Sequence, residues 1–146
     1  MTACLVGLAS CQREEIKEQV KVSFDVSDVY TDMSKSTYDS NEHKLAWEYG
    51  DVIGCFAEQN TNITFKNTAD EPTTFTGTVF TVPPQYFFYY PFNQIASAEG
   101  TVVTTELPAK QTLKVGDFAV APVMVATATD LTKGVSFHNA CGLVKF

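Results

Sequence analysis

Val20, Val22, Phe24 and Val26 alternate with Lys21, Ser23 and Asp25. A period of two sends successive side chains to opposite faces, so this stretch predicts a half-buried strand. Residues 27–43 are rich in Asp, Ser, Thr and Asn and predict a long loop. Residues 45–56 predict a strand, a Gly50-Asp51 turn and a second strand brought against the first, with Trp47, Val52, Ile53 and Phe56 as core. Residues 63–65 and 73–79 predict two more strands, joined by the turn formers of 67–72. Tyr86 to Tyr90 are five consecutive aromatics ended by Pro91. Such a run predicts a strand buried on both faces. Residues 101–107 read as a β-branched strand and 108–114 as a connector. Residues 119–126 read as an apolar strand that Pro122 places at an edge or a strand start, and 135–146 as a closing strand. No stretch carries a convincing helical period. The pattern predicts an all-β, Greek-key sandwich of about seven strands over residues 20–146.

Composition narrows what such a sandwich does. The chain has 146 residues, a length that suits one domain, and 45% of them are hydrophobic, so it can bury a core. The net charge is −7, Arg13 is the only arginine, and the lysines form no stripe. Nucleic acid and peripheral binding to anionic lipid heads are therefore disfavoured, because both need clustered cations. Cys4, Cys11, Cys55 and Cys141 form no C-x-x-C, and His43 and His138 lie far apart, so no metal site is expected. No apolar run reaches the roughly 18–20 residues of a membrane span.

The search for reaction chemistry returns little. Asp51 and Asp117 each follow a glycine and precede an apolar run, the setting of a turn-capping residue. His138 and Cys141 are three apart, which on a strand points them to opposite faces. No nucleophile elbow, P-loop or dinucleotide fingerprint occurs. The chain is expected not to be an enzyme and to need no cofactor. Cys55 and Cys141 are open to two readings, a disulfide in an oxidising envelope or two buried thiols. The aromatic run leaves a second choice open: Tyr86, Tyr89 and Tyr90 stack sugar on an outward face, or they fill the core.

The start of the chain is more telling. Residues 1–10 are small and apolar, and the sequence turns polar at Gln12-Arg13-Glu14-Glu15. Leu8-Ala9-Ser10-Cys11 resembles the bacterial lipobox, in which the cysteine thiol is acylated and becomes the mature N-terminus. Residues 1–11 thus read as the remnant of a signal peptide and 12–19 as a polar tether. The alternative is a buried N-terminal strand with a free Cys11. The acidic tract resembles the surface-export signal of Bacteroides-type lipoproteins, and reads equally as a solvated tether.

Four stretches then carry a family resemblance. Trp47-Glu48-Tyr49-Gly50-Asp51-Val52-Ile53-Gly54 resembles the W-x-x-G-D-x-I-G segment of fimbrillin-like lipoproteins, the pilus subunits of Bacteroides type. Tyr89-Tyr90-Pro91-Phe92, Leu107-Pro108-Ala109-Lys110-Gln111-Thr112 and Phe137-His138-Asn139-Ala140-Cys141-Gly142-Leu143-Val144-Lys145 resemble three further segments of that family, in the same order. The resemblance implies transthyretin-like sandwich domains, with this chain the N-terminal domain of a longer product. It implies a lipid on Cys11, a place on the outer membrane and cell surface or on the fimbrium, and adhesion to a host or bacterial surface. It also implies assembly with other pilus subunits by strand exchange, in which a donor strand replaces a removed first strand. Here Val20, Val22, Phe24 and Val26 mark the strand to be exchanged. One departure matters. Family maturation commonly cuts after an arginine beyond the first strand, whereas Arg13 precedes it and residues 27–44 offer only Lys35 and Lys44. This favours an uncleaved membrane anchor. The rival expectation is a non-polymerising surface lipoprotein that binds glycan through Tyr86, Tyr89 and Tyr90.

Overall fold

A computed structural model of the chain describes residues 19–26, 37–39, 44–57, 61–80, 82–106 and 123–140. The strands are β1 (Val20–Asp25), β2 (Thr37–Asp39), β3 (Lys44–Ala46), β4 (Val52–Phe56), β5 (Asn62–Lys66), β6 (Thr74–Val79), β7 (Tyr86–Tyr90), β8 (Ser97–Glu99), β9 (Val102–Thr104), β10 (Met124–Ala128) and β11 (His138–Asn139). Among the described residues there is no α-helix, only a 3-10 turn at Leu131–Lys133.

Seven strands form one antiparallel sheet in the order β1-β6-β5-β4-β7-β10-β11. β4, β5 and β6 run consecutively, and β7 returns to lie beside β4, which is the Greek-key arrangement. The sheet curls until its two edges approach each other. Val26, just past β1, forms a parallel bridge with Val135, just before β11. The Val135 amide donates to the Asp25 carbonyl at 2.8 Å.

The curl encloses the main core. Every second residue of β1, β4, β5, β6, β7 and β10 points inward. Phe24, Phe65, Phe75, Phe88, Tyr90 and Phe137 meet there around Trp47, with Ile53, Val79, Met124 and Val135 between them. Trp47 stands edge-on to Phe75, Tyr90 and Phe137 at centroid distances of 5.0, 5.1 and 5.4 Å. Such pairs add about 0.5–1.5 kcal/mol each beyond the area they bury. A second, smaller cluster lies on the convex side of β4 and β7. Phe56, Tyr89 and Ala96 pack there under Phe92, Ala98 and Val103, so the β8–β9 hairpin forms the partial second layer of the sandwich. The expected double burial of Tyr86–Tyr90 is therefore observed.

Several details depart from the sequence reading. Residues 45–56 do not form a hairpin: β3 pairs with β2, whereas β4 pairs with β5 and β7. The turn between them is a corner from one sheet to another. The Asp51 amide donates to the Glu48 carbonyl at 3.1 Å, and Gly50 takes φ 95°, the positive value a type II turn needs at its third position. Asp51 caps this turn, as expected, accepting from the Glu48 amide at 2.8 Å. The loop predicted over 27–43 contains β2, where β-prone Thr37 and Tyr38 sit among polar neighbours. Only His138–Asn139 is strand within the described part of 135–146. Gly134, at φ 75°, ends the 3-10 turn just ahead of it.

Candidate functional site: the first strand and its groove

Among the described residues, β1 is the strand whose side chains plug the main core while its backbone has a strand ladder on one side only. It pairs antiparallel with β6 over six residue pairs, from Val20 opposite Val79 to Asp25 opposite Thr74. Its other edge meets the Val135 bridge and the 3-10 turn, a cover that blunts an exposed edge. Val20 and Val22 are half-buried, and Phe24 and Val26 are buried. The Phe24 ring lies 4.7 Å from Phe88, 5.5 Å from Phe65 and 6.0 Å from Phe75. Without β1 these three rings would border an open apolar groove beside β6. The four residues expected to mark the first strand thus share one inward face. At the strand's end the Thr74 hydroxyl donates to Asp25 Oδ1 at 2.6 Å, and the Val26 amide donates to the Thr73 carbonyl at 2.9 Å.

The aromatic platform expected at Tyr86, Tyr89 and Tyr90 is not available to a sugar. Tyr86 and Tyr90 point into the main core and Tyr89 into the convex cluster, all three buried. Stacking needs an exposed ring face, so the glycan-binding role of these residues is corrected. Their hydroxyls serve the fold. The Tyr90 hydroxyl donates to Asp51 Oδ1 at 2.8 Å and ties the strand to the 48–51 corner. The Tyr89 hydroxyl lies 2.8 Å from Asn62 Oδ1 and 2.9 Å from the Asn93 carbonyl. Burial pushes the phenols of Tyr86 and Tyr89 up from their ordinary value.

Cys55 is a buried free thiol, the second of its two readings, and burial pushes it well above the usual thiol range. The thiolate is the reactive form, so this sulfur behaves as a small hydrophobe. Cys11, Arg13, Asp117 and Cys141 lie outside the described residues. His138 is exposed on β11, opposite Val125. Among the described residues no cluster of His, Cys, Asp and Glu could hold a metal ion.

Two structural residues were missed in the sequence. Asn67 reads there as a turn former, yet it is buried and its amide is fully used. Its nitrogen donates to the carbonyls of Glu48 and Pro72 at 2.7 and 2.8 Å, and its oxygen accepts from the Gly50 amide at 3.0 Å. It clamps the corner before β4 to the connector before β6. Gly77 reads as an ordinary strand residue, but a Cβ there would come within 2.7 Å of the Phe65 ring.

No protein-family model matches the chain, and no curated protein or solved structure matches it significantly.

Proposed function

We propose that this chain is a cell-surface, fimbrillin-like lipoprotein: a structural subunit or membrane anchor of a pilus assembled by β-strand exchange, contributing to adhesion. Its lipid is carried on Cys11 and holds it to the outer membrane. The observation that carries this reading is the setting of β1. An edge strand fills the core with Val20, Val22, Phe24 and Val26, and only β6 ladders with it. A strand held in that way is the element another subunit's strand can replace, with main-chain bonds giving affinity and alternate side chains giving fit. The lipobox-like Leu8-Ala9-Ser10-Cys11 and the four ordered family-like segments support the cellular setting. The position of Arg13 favours the anchor form. A cut there would release the lipid but leave β1 in place, and no arginine follows β1.

The test has two arms. Wild-type protein made in cells fed a clickable palmitate analogue should be labelled, and Cys11→Ser should not. Labelling retained in Cys11→Ser removes the anchor. In unboiled gels, surface-expressed protein should run as higher oligomers that boiling dissolves, and protease added to whole cells should cut it. A monomer that is shielded from the protease removes the pilus role.

A further inference from the structure

We infer that the groove beside β6 selects its strand through one pocket, the Phe24 site. The partner it accepts is an extended segment of the form apolar-x-apolar-x-aromatic-x-apolar, running antiparallel to β6. This rests on the strand exchange proposed above and names the chemistry of the partner. The four inward positions of β1 are unequal. Val20 lies opposite Val79 and Val22 opposite Gly77, and both are half-buried. Val26 is buried at the Val135 bridge. Phe24 is the largest and least exposed of the four, at 3%, and it alone meets three rings, those of Phe65, Phe75 and Phe88.

The lining of the Phe24 site is held by contacts that do not involve β1. Phe75 stands edge-on to Trp47 at 5.0 Å, and Phe65 stands edge-on to Phe88 at 5.5 Å. Phe88 in turn stacks on Tyr86 at 5.7 Å and lies 6.3 Å from Phe137. An incoming ring therefore meets a wall that is already built, which lowers the cost of binding it. The position two residues back is different. The Phe65 ring lies over Gly77, where even a Cβ would come within 2.7 Å of it, and Gly77 is the residue opposite Val22. A segment displaced by two residues brings its ring to that flanked place or carries it on to the Val26 position. Either way a valine is left in the Phe24 site. A displacement by one residue turns the polar residues inward. The backbone fixes direction without any side chain. β1 pairs antiparallel with β6, the Val26 amide donates to the Thr73 carbonyl, and the Asp25 carbonyl accepts from the Val135 amide. A strand of the same direction recovers these bonds, so the ring sets which strand fits and in which register.

Two measurements test the pocket and the exchange separately. Val22→Phe combined with Phe24→Val keeps the composition and alternation of β1 but moves its ring by two residues. In the full chain this double variant should melt roughly 10 °C or more below wild type, and Val20→Ala about 5 °C or less below it. A double variant that melts with wild type overturns the pocket. The second measurement needs no variant to fold. The full chain is given a specific protease site between residues 27 and 36 and is cut after folding. A fluorescein-labelled peptide of residues 19–27 is added, and its uptake is read by anisotropy in competition with unlabelled peptides. The Val20→Ala peptide should compete within about fivefold of the native sequence. The Phe24→Ala peptide and the Val22→Phe, Phe24→Val peptide should each compete about 100-fold more weakly. Equal competition by all of them overturns the pocket and leaves exchange standing. If the labelled peptide never enters the cut chain, strand exchange itself falls, and the partner with it.

Discussion

The two faces of β7 are built on different principles. On the inner face Phe88 lies among rings from several elements: Phe24 at 4.7 Å, Phe65 at 5.5 Å, Tyr86 at 5.7 Å and Phe137 at 6.3 Å. On the outer face Tyr89 stacks on one ring, Phe56, at 5.7 Å, and its hydroxyl joins Asn62 and Asn93. Gly54 lies directly opposite Tyr89, and a Cβ there would overlap the tyrosine ring. The inner face is a network of apolar rings, so it is sensitive to lost volume. The outer face depends on one ring lying over a glycine, so it is sensitive to added volume. One strand therefore carries opposite tolerances on alternate residues.

The largest effect should come from removing rings inside the curl. Phe24→Ala and Trp47→Ala should each cost about 3–5 kcal/mol, as large-to-small core changes do. Urea unfolding checks this. A Trp47→Ala variant as stable as wild type would show that ring to be unnecessary to the inner network. Phe24→Ala has a second readout, since it should expose residues 12–26 to protease before the rest of the fold.

Next comes added volume. Gly54→Ala should destabilise by about 1–3 kcal/mol, because the Tyr89 ring has no free space to yield into. Pairing Gly54→Ala with Tyr89→Ala should restore part of that loss, and the double-mutant cycle reads the coupling. Strict additivity of the two changes would break the contrast between the faces.

The smallest effect is that of one hydroxyl. Tyr89→Phe should cost about 0.5–1.5 kcal/mol at neutral pH. It should also change the alkaline limb. Burial raises the Tyr86 and Tyr89 phenols in the folded state, so the native protein holds protons that the unfolded chain releases above about pH 10. Their contribution is fully present below that pH and is lost as pH rises further. Urea midpoints at about pH 8 and about pH 10.5 should converge in Tyr89→Phe relative to wild type. An unchanged drop would show that Tyr89 does not contribute to it.

How much was legible follows from whether a signal is local. The alternation of Val20, Val22, Phe24 and Val26 is local, and β1 appears where it predicts. The run from Tyr86 to Tyr90 is apolar at both parities, so burial on both faces could be read directly. Gly50 and Asp51 announced a turn correctly, but a turn does not say which strands it joins. Pairing β3 with β2 rather than with β4 is decided by contacts made elsewhere. β8 went unseen because Ser97-Ala98-Glu99 is only three residues long and its single inward residue is a small alanine. The buried amide of Asn67 is indistinguishable in sequence from an exposed turn residue, because its partners Glu48 and Gly50 are 19 and 17 positions away. The candidate site divides in the same way. The inward face of β1 was written in its period, whereas the fate of the three tyrosines depended on what lies over them.

The bridge between Val26 and Val135 has a consequence for the order of events in time. β1 meets its ladder partner β6 only some fifty residues later, at Val22 opposite Gly77. It gains its second flank only when Val135 arrives, 109 positions after Val26. At a synthesis rate of about 5–20 residues per second, that interval is roughly 5–20 s. For about the first half of it β1 has no ladder partner, and through the rest one flank stays open; closing so long a loop is the slow kind of contact to make. Local hairpins such as β4–β5 have no such wait. Of the described strands of the sheet, β1 thus emerges before the others and waits longest for its second flank.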